Sequence, residues 1–221
     1  SSAASDVYKR QPLDSISPLL RMSVMQSEDG AFFYHKGFLP DAIREALIYD
    51  LQVKRFARGG STITMQLVKN VFLNRNKNFA RKLEEALIVW LIETERLTSK
   101  ERMYEVYLNI AEWGPLIYGI REASAYYFNK RPSQLTTEES IFLASIIPKP
   151  KHFRSSFAEN GQLKENMEGY YKLIAGRLAQ KGLISEIEAD TIRPDIQVTG
   201  DALNSLVGDT PESSSPTAEE Q

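Results

Sequence analysis

Cysteine is absent from the 221 residues, which excludes disulfides and thiolate metal sites and leaves the compartment open. Histidine is scarce. His35 and His152 are the two, far apart in sequence, so a histidine zinc site is not expected. Long apolar runs are missing too. The longest uninterrupted one is Ala86 to Ile92, far below the roughly 20 residues that a spanning helix needs. No transmembrane segment and no intact secretory signal is therefore expected within these residues. The most informative absence is acid. From Lys54 to Lys82 there is no Asp or Glu, but there are eight basic residues: Lys54, Arg55, Arg58, Lys69, Arg75, Lys77, Arg81 and Lys82. The near-neutral total, −2 from 27 basic and 29 acidic residues, conceals this strip.

What is present is an ordinary globular composition, 42% hydrophobic and 25% charged, sufficient for one domain with its own core. The periodicity is helical. Ser17 with Pro18 opens a helix that ends near Glu28, and Pro40 opens a second. Gly59-Gly60 breaks the chain before a third, capped by Ser61 or Thr62 and running to about Phe72. A longer helix is predicted over about Phe79 to Leu97. Capping boxes are expected at Thr98 with Glu101, Thr136 with Glu139 and Ser185 with Glu188. Met167, Tyr170, Tyr171, Ile174 and Leu178 mark a further helix, and short hairpins remain open. The expected organisation is a linker or remnant over 1–12, a folded domain over 13–200 and an acidic, Ser/Pro-rich, disordered tail over 201–221.

Three clusters carry candidate chemistry. In Ser27-Glu28-Asp29-Gly30-Ala31-Phe32-Phe33, two acids at a helix C-terminus oppose the macrodipole, and a carboxylate beside aromatic surface suits a general base. Alone, the segment reads first as a solvated helix end with aromatics turning into the core. In Gly59-Gly60-Ser61-Thr62, glycines and hydroxyls at a helix start suit an anion or a plain cap. The spacing is not that of a nucleotide P-loop. Gln66 and Lys69 share a face of that helix. In Arg81-Lys82-Leu83-Glu84-Glu85, one carboxylate is held by two cations, or forms a surface ion pair. The basic strip lacks the interleaved aromatics of a single-strand nucleic-acid binder, so no nucleic-acid partner is expected. Its cations suit a diphosphate.

Taken together, these residues resemble the peptidoglycan glycosyltransferases, the chain-polymerising domains of bifunctional penicillin-binding proteins and their monofunctional relatives. The likeness runs through Glu28-Asp29-x-x-Phe32-x-x-His35-x-Gly37, Gly60-Ser61-Thr62-Ile63-Thr64-x-Gln66-Leu67-x-Lys69-Asn70 and Arg81-Lys82-x-x-Glu85. It continues through Glu105-x-Tyr107-Leu108-Asn109, Glu112-Trp113-Gly114, Tyr118-Gly119, Tyr127-Phe128-x-Lys130 and Glu139 to Pro150. It covers roughly Leu13 to Phe157. Met65 and Lys77 depart from the commoner Gln and Arg, and Lys77 gives up bidentate phosphate geometry. No Ser-x-x-Lys or Lys-Thr-Gly transpeptidase signature occurs in these residues.

The resemblance implies a mainly α, lysozyme-like, two-lobed fold. It implies lipid II, a disaccharide-pentapeptide on polyprenyl pyrophosphate, as substrate, together with a growing glycan chain. Glu28 would be the general base and Glu85 the second essential acid. Asp29, Ser61, Gln66, Lys69, Lys77, Arg81, Lys82 and Asn109 would bind substrate. A divalent cation, Mg or Mn, is a candidate at the pyrophosphate, with no ligand set assignable and no organic cofactor expected. The implied setting is the outer face of the bacterial cytoplasmic membrane, with the anchor missing from this chain and other cell-wall synthesis proteins as candidate partners. Tyr49, Leu51, Val53 and Phe56 beside Lys54, Arg55 and Arg58 would form a lip on anionic lipid. The alternatives are a lysozyme-like hydrolase or lytic enzyme, and a non-catalytic glycan-binding scaffold.

Overall fold

The computed structural model describes residues 10–34, 62–72, 98–158 and 161–207. Among them the protein is mainly helical. The helices are α1 (Pro18–Glu28), α2 (Ile63–Phe72), α3 (Lys100–Ile110), α4 (Ile120–Phe128), α5 (Thr137–Ile146), α6 (Glu168–Gln180), α7 (Glu186–Thr191) and α8 (Gly200–Val207). One small hairpin, β1 (Glu112–Gly114) with β2 (Ile117–Tyr118), lies between α3 and α4. The helix expected from Pro40, the one over Phe79 to Leu97 and the proposed lipid lip lie outside the described residues.

The centre of the molecule is α5. Eight of its ten residues are buried, among them Ile141, Phe142, Leu143 and Ala144, so it is covered on every side rather than along one stripe. α1 packs on α5 and α6 through Leu20 and Val24, and α6 also packs on α7. Around Phe142 an aromatic cluster of Tyr127, Phe128, Phe153 and Phe157 meets mostly edge to face, with centroids 5.3–6.5 Å apart. The Tyr127 hydroxyl donates to the Trp113 carbonyl (2.8 Å), tying α4 to the hairpin.

The local signals act largely as their chemistry dictates. Thr136 and Glu139 close the expected capping box at the start of α5. Glu139 also pairs with Lys130 at 2.7 Å, which explains the lysine of the Tyr127-Phe128-x-Lys130 pattern as a structural partner. Three starts differ from expectation. Ser17 makes no side-chain cap, and its N–H instead donates to the Pro132 carbonyl (3.0 Å). Ser99, not Thr98, caps α3, accepting from the Arg102 N–H (3.1 Å). At α7, Ser185 accepts from the Glu188 N–H, but the Glu188 carboxylate takes a hydrogen bond from Thr137 (2.8 Å) and does not close the box.

The boundary at 200 requires correction. Residues 201–207 belong to α8, which packs on α4, buries Ala202 completely and receives a hydrogen bond from Tyr126 to Ser205 (2.9 Å). Ala202, Leu206 and the partly buried Val198 supply apolar surface that the acidic composition of the tail as a whole conceals. Residues 208–221 lie outside the described residues.

Candidate active site

Glu28 is the last residue of α1, and Asp29 is its C-cap. Two carboxylates at the negative end of a helix need compensation, and each finds a different kind. Asp29 is buried, 3% exposed, and its Oδ2 accepts from the Ile63 N–H (3.1 Å) at the start of α2. The acid at the end of α1 thus sits at the positive end of α2, whose first turn Thr62 also caps through the Met65 N–H (3.2 Å). Arg177, from α6, donates to the Gln26 carbonyl (2.5 Å) in the last turn of α1 and brings a cation to that end.

The Asp29 junction sets α2 so that Gln66, one turn in, reaches Glu28. Gln66 Nε2 donates to Glu28 Oε2 at 3.0 Å. Gln66 Oε1 in turn accepts from the Tyr107 hydroxyl of α3 (3.1 Å). On the other side, the Tyr170 hydroxyl of α6 donates to Ser27 Oγ (3.0 Å), and that oxygen lies 3.5 Å from Glu28 Oε1. Below the site Phe32 is fully buried, edge-on to Phe33 at 5.2 Å, with the Lys100 ammonium 4.4 Å over its ring.

This setting pushes the Glu28 pKa up from its ordinary carboxylate value. Burial is the main cause, and the hydrogen bonds from Gln66 and Ser27 pull back, while the Asp29 charge adds to the rise. The neighbouring phenols stay protonated. Burial drives Tyr107 well above its usual value and Tyr170 up to about 12.

Of the residues expected at the site, the structure brings Glu28, Asp29 and Gln66 together. Asp29 is occupied with the α2 N-terminus, so its position is that of a helix cap. The backbone of Lys69 lies one turn beyond Gln66 on α2. Ser61, Lys77, Arg81, Lys82 and Glu85 lie outside the described residues.

Asn109 is elsewhere. Two residues after Tyr107, it points about 200° around α3, to the opposite face. There its Oδ1 accepts from the Gln11 N–H (2.7 Å) and its Nδ2 donates to the Gln11 carbonyl (2.9 Å). Glu105, on the same face, takes the Arg10 guanidinium and the Leu13 N–H (3.1 Å). In this arrangement Asn109, expected at the substrate, clamps residues 10–13 on the face of α3 away from Glu28. Beside this clamp a groove of about 550 Å³, lined by Arg10, Arg102, Tyr118 and Arg121 among others, is separate from Glu28.

The site also contains residues that the sequence reading passed over. Tyr107 was visible within Glu105-x-Tyr107-Leu108-Asn109, but the motif does not say which of its residues face Glu28. Tyr170 carried only a helix-face signal. Among the described residues no group of three or more His, Asp or Glu could hold a metal.

A half-buried, amide-held carboxylate at a helix end, walled by neutral phenols, suits proton abstraction. The family described as transglycosylase matches residues 4–177, most of the chain, and the protein belongs to it. A relative named biosynthetic peptidoglycan transglycosylase from Paraburkholderia xenovorans is 44% identical over 142 residues, covering 64% of this chain and 58% of that protein. One of the same name from Chromobacterium violaceum is 42% identical over 146 residues, covering 66% and 63%. A third, from Acinetobacter baumannii, is 39% identical over 141 residues, covering 64% and 62%. The matched part of the chain thus spans less than two thirds of the length of each of these relatives.

Proposed function

We propose that the protein polymerises lipid II into β-1,4-linked glycan strands. Glu28 takes the proton from the 4-hydroxyl of the incoming lipid II sugar. That oxygen forms a bond to C1 of the growing chain's lipid-linked sugar, the C1–oxygen bond to pyrophosphate breaks, and the anomeric centre inverts. The electron pair leaves on polyprenyl pyrophosphate. Lys69, Lys77, Arg81 and Lys82 stabilise the charge that develops there, Glu85 positions them or a sugar, and Ser61 lines the groove. A divalent cation, Mg or Mn, would enter with the pyrophosphate. The work site is the outer face of the cytoplasmic membrane, where the lipid substrate resides. Among the described residues no helix is long and apolar enough to cross a membrane.

The observation that carries this reading is Glu28 itself: half-buried, held at one oxygen by Gln66, and with its pKa raised toward the working range of a base. Family membership and the acid-free cationic strip supply the substrate class. Glu28→Gln should lower lipid II polymerisation by at least about a hundredfold, the scale of a lost general base, with lipid II binding retained. The assay is incubation with purified lipid II, with and without divalent metal, and sizing of the glycan product. Shortening of preformed glycan in place of chain growth would favour the hydrolase reading and sink this one.

A further inference from the structure

We propose that Tyr107 is a positioning residue for Glu28: through its hydroxyl it fixes the Gln66 amide with the N–H side toward the carboxylate. The inference rests on Glu28 being the base. It concerns a phenol that meets the substrate in none of the steps above.

The geometry is a chain of donations pointing one way. Tyr107 donates to Gln66 Oε1 at 3.1 Å, and Gln66 Nε2 donates to Glu28 Oε2 at 3.0 Å, so the chain ends on the anion. A glutamine amide has nearly the same shape in either flipped orientation, and its partners alone choose between them. With the carbonyl turned to Glu28, two acceptors would face each other, an arrangement tolerable only if Glu28 is protonated. Tyr107 is fully buried in α3 and holds its proton at any working pH, which makes it a constant donor. Its donation satisfies Oε1 and aligns the amide dipole with the ionised carboxylate. Glu28 Oε2 is thereby pinned. Oε1, with Ser27 at a loose 3.5 Å, is the oxygen presented to an incoming hydroxyl.

The other described groups around Glu28 do not duplicate this. Asp29, next in the chain, caps α2. Tyr104 of α3 donates to the Arg21 carbonyl. From α6, Tyr170 donates to Ser27 and Arg177 to Gln26.

The test is the pH profile of kcat/KM for lipid II polymerisation in Tyr107→Phe, which keeps the ring and removes the hydroxyl. Without that donor the amide loses its fixed direction and the ionised carboxylate loses support. The acid limb should move to higher pH by about half a unit to one unit, the size of one neutral hydrogen bond such as that from Tyr107 to Gln66. Gln66→Leu, at a partly buried position, should reproduce the shift, and adding Tyr107→Phe to it should move the limb no further. A lower Tm with an unmoved acid limb in Tyr107→Phe overturns the inference, as do additive shifts in the double variant. If Tyr107→Phe fails to fold, an unmoved limb in Gln66→Leu overturns it equally. Glu28→Gln separates the two readings: an active Glu28→Gln enzyme refutes the base itself. An inactive one, together with an unmoved limb in Tyr107→Phe, refutes only the role of Tyr107.

Discussion

Glu28 and Asp29 are adjacent in sequence and opposite in use. Asp29 is buried and joins two helices, whereas Glu28 is half-buried and that loss of solvent opposes its charge. Because the folded-state pKa of Glu28 lies above its unfolded value, the native state holds a proton that the unfolded state has released between those two values. Stability from this group is complete below the ordinary carboxylate range and is lost as pH rises through the raised pKa. Glu28→Gln should therefore be more stable than the parent near neutrality, and the gain should vanish as pH falls below the ordinary carboxylate range. Urea unfolding at the two pH values checks this. Asp29→Ala should act the other way, with a loss of about 0.5–2 kcal/mol for the missing cap and reduced activity because α2 no longer presents Gln66. Circular dichroism melts beside the polymerisation assay read both. At this scale Glu28, Asp29 and Gln66 were legible because they lie in short, specific motifs. Asn109 lies in one too, yet it sits away from Glu28. The motif says that it matters, and only the rotation of α3 says that it faces Gln11.

At the scale of elements, the turn that ends β2 is the most constrained. Gly119 has φ +81°, and a Cβ there would meet the Asn109 carbonyl at 2.5 Å. Gly119→Ala should cost more than about 1 kcal/mol, since backbone strain and a clash with main chain add, and chemical denaturation measures it. The Tyr118-Gly119 pattern thus has a steric cause. Helix existence was readable from periodicity and caps, since α1, α2, α5, α6 and α7 appear where spacing and capping residues put them. The particular cap was less readable. Thr98 and Ser99 offer the same hydroxyl one position apart, and the choice between them depends on how α3 is drawn into the core through Tyr104 and Tyr107. Glu188 illustrates the same limit, since Thr137, 51 residues away, competes for its carboxylate.

For the whole molecule, composition misplaced one edge. The acidic tail was expected to begin at 201, but α8 is part of the packed body. A chain shortened to end at Gly200 should melt several degrees below the parent, because Ala202 and Leu206 no longer cover α4. Differential scanning calorimetry of the two decides. Tyr170 was unreadable as a site residue for a related reason: its contact with Ser27 spans 143 positions, and no local pattern encodes such a meeting.

The burial of α5 also has a consequence for the order of events in time. α1 ends in Glu28 but finds its packing surface on α5 and α6, more than a hundred residues later. Contacts of that separation form slowly, because a long stretch of chain must be closed before they return any stabilisation. A nascent chain emerging from the ribosome carries Glu28, Asp29 and the whole cationic strip before α5 and α6, on which α1 packs, have been made. The setting of Glu28 is therefore complete only when α5 and α6 have packed against α1. In pulse-labelled hydrogen exchange, the amides of the last turn of α1 should gain protection together with those of α5, in one late step.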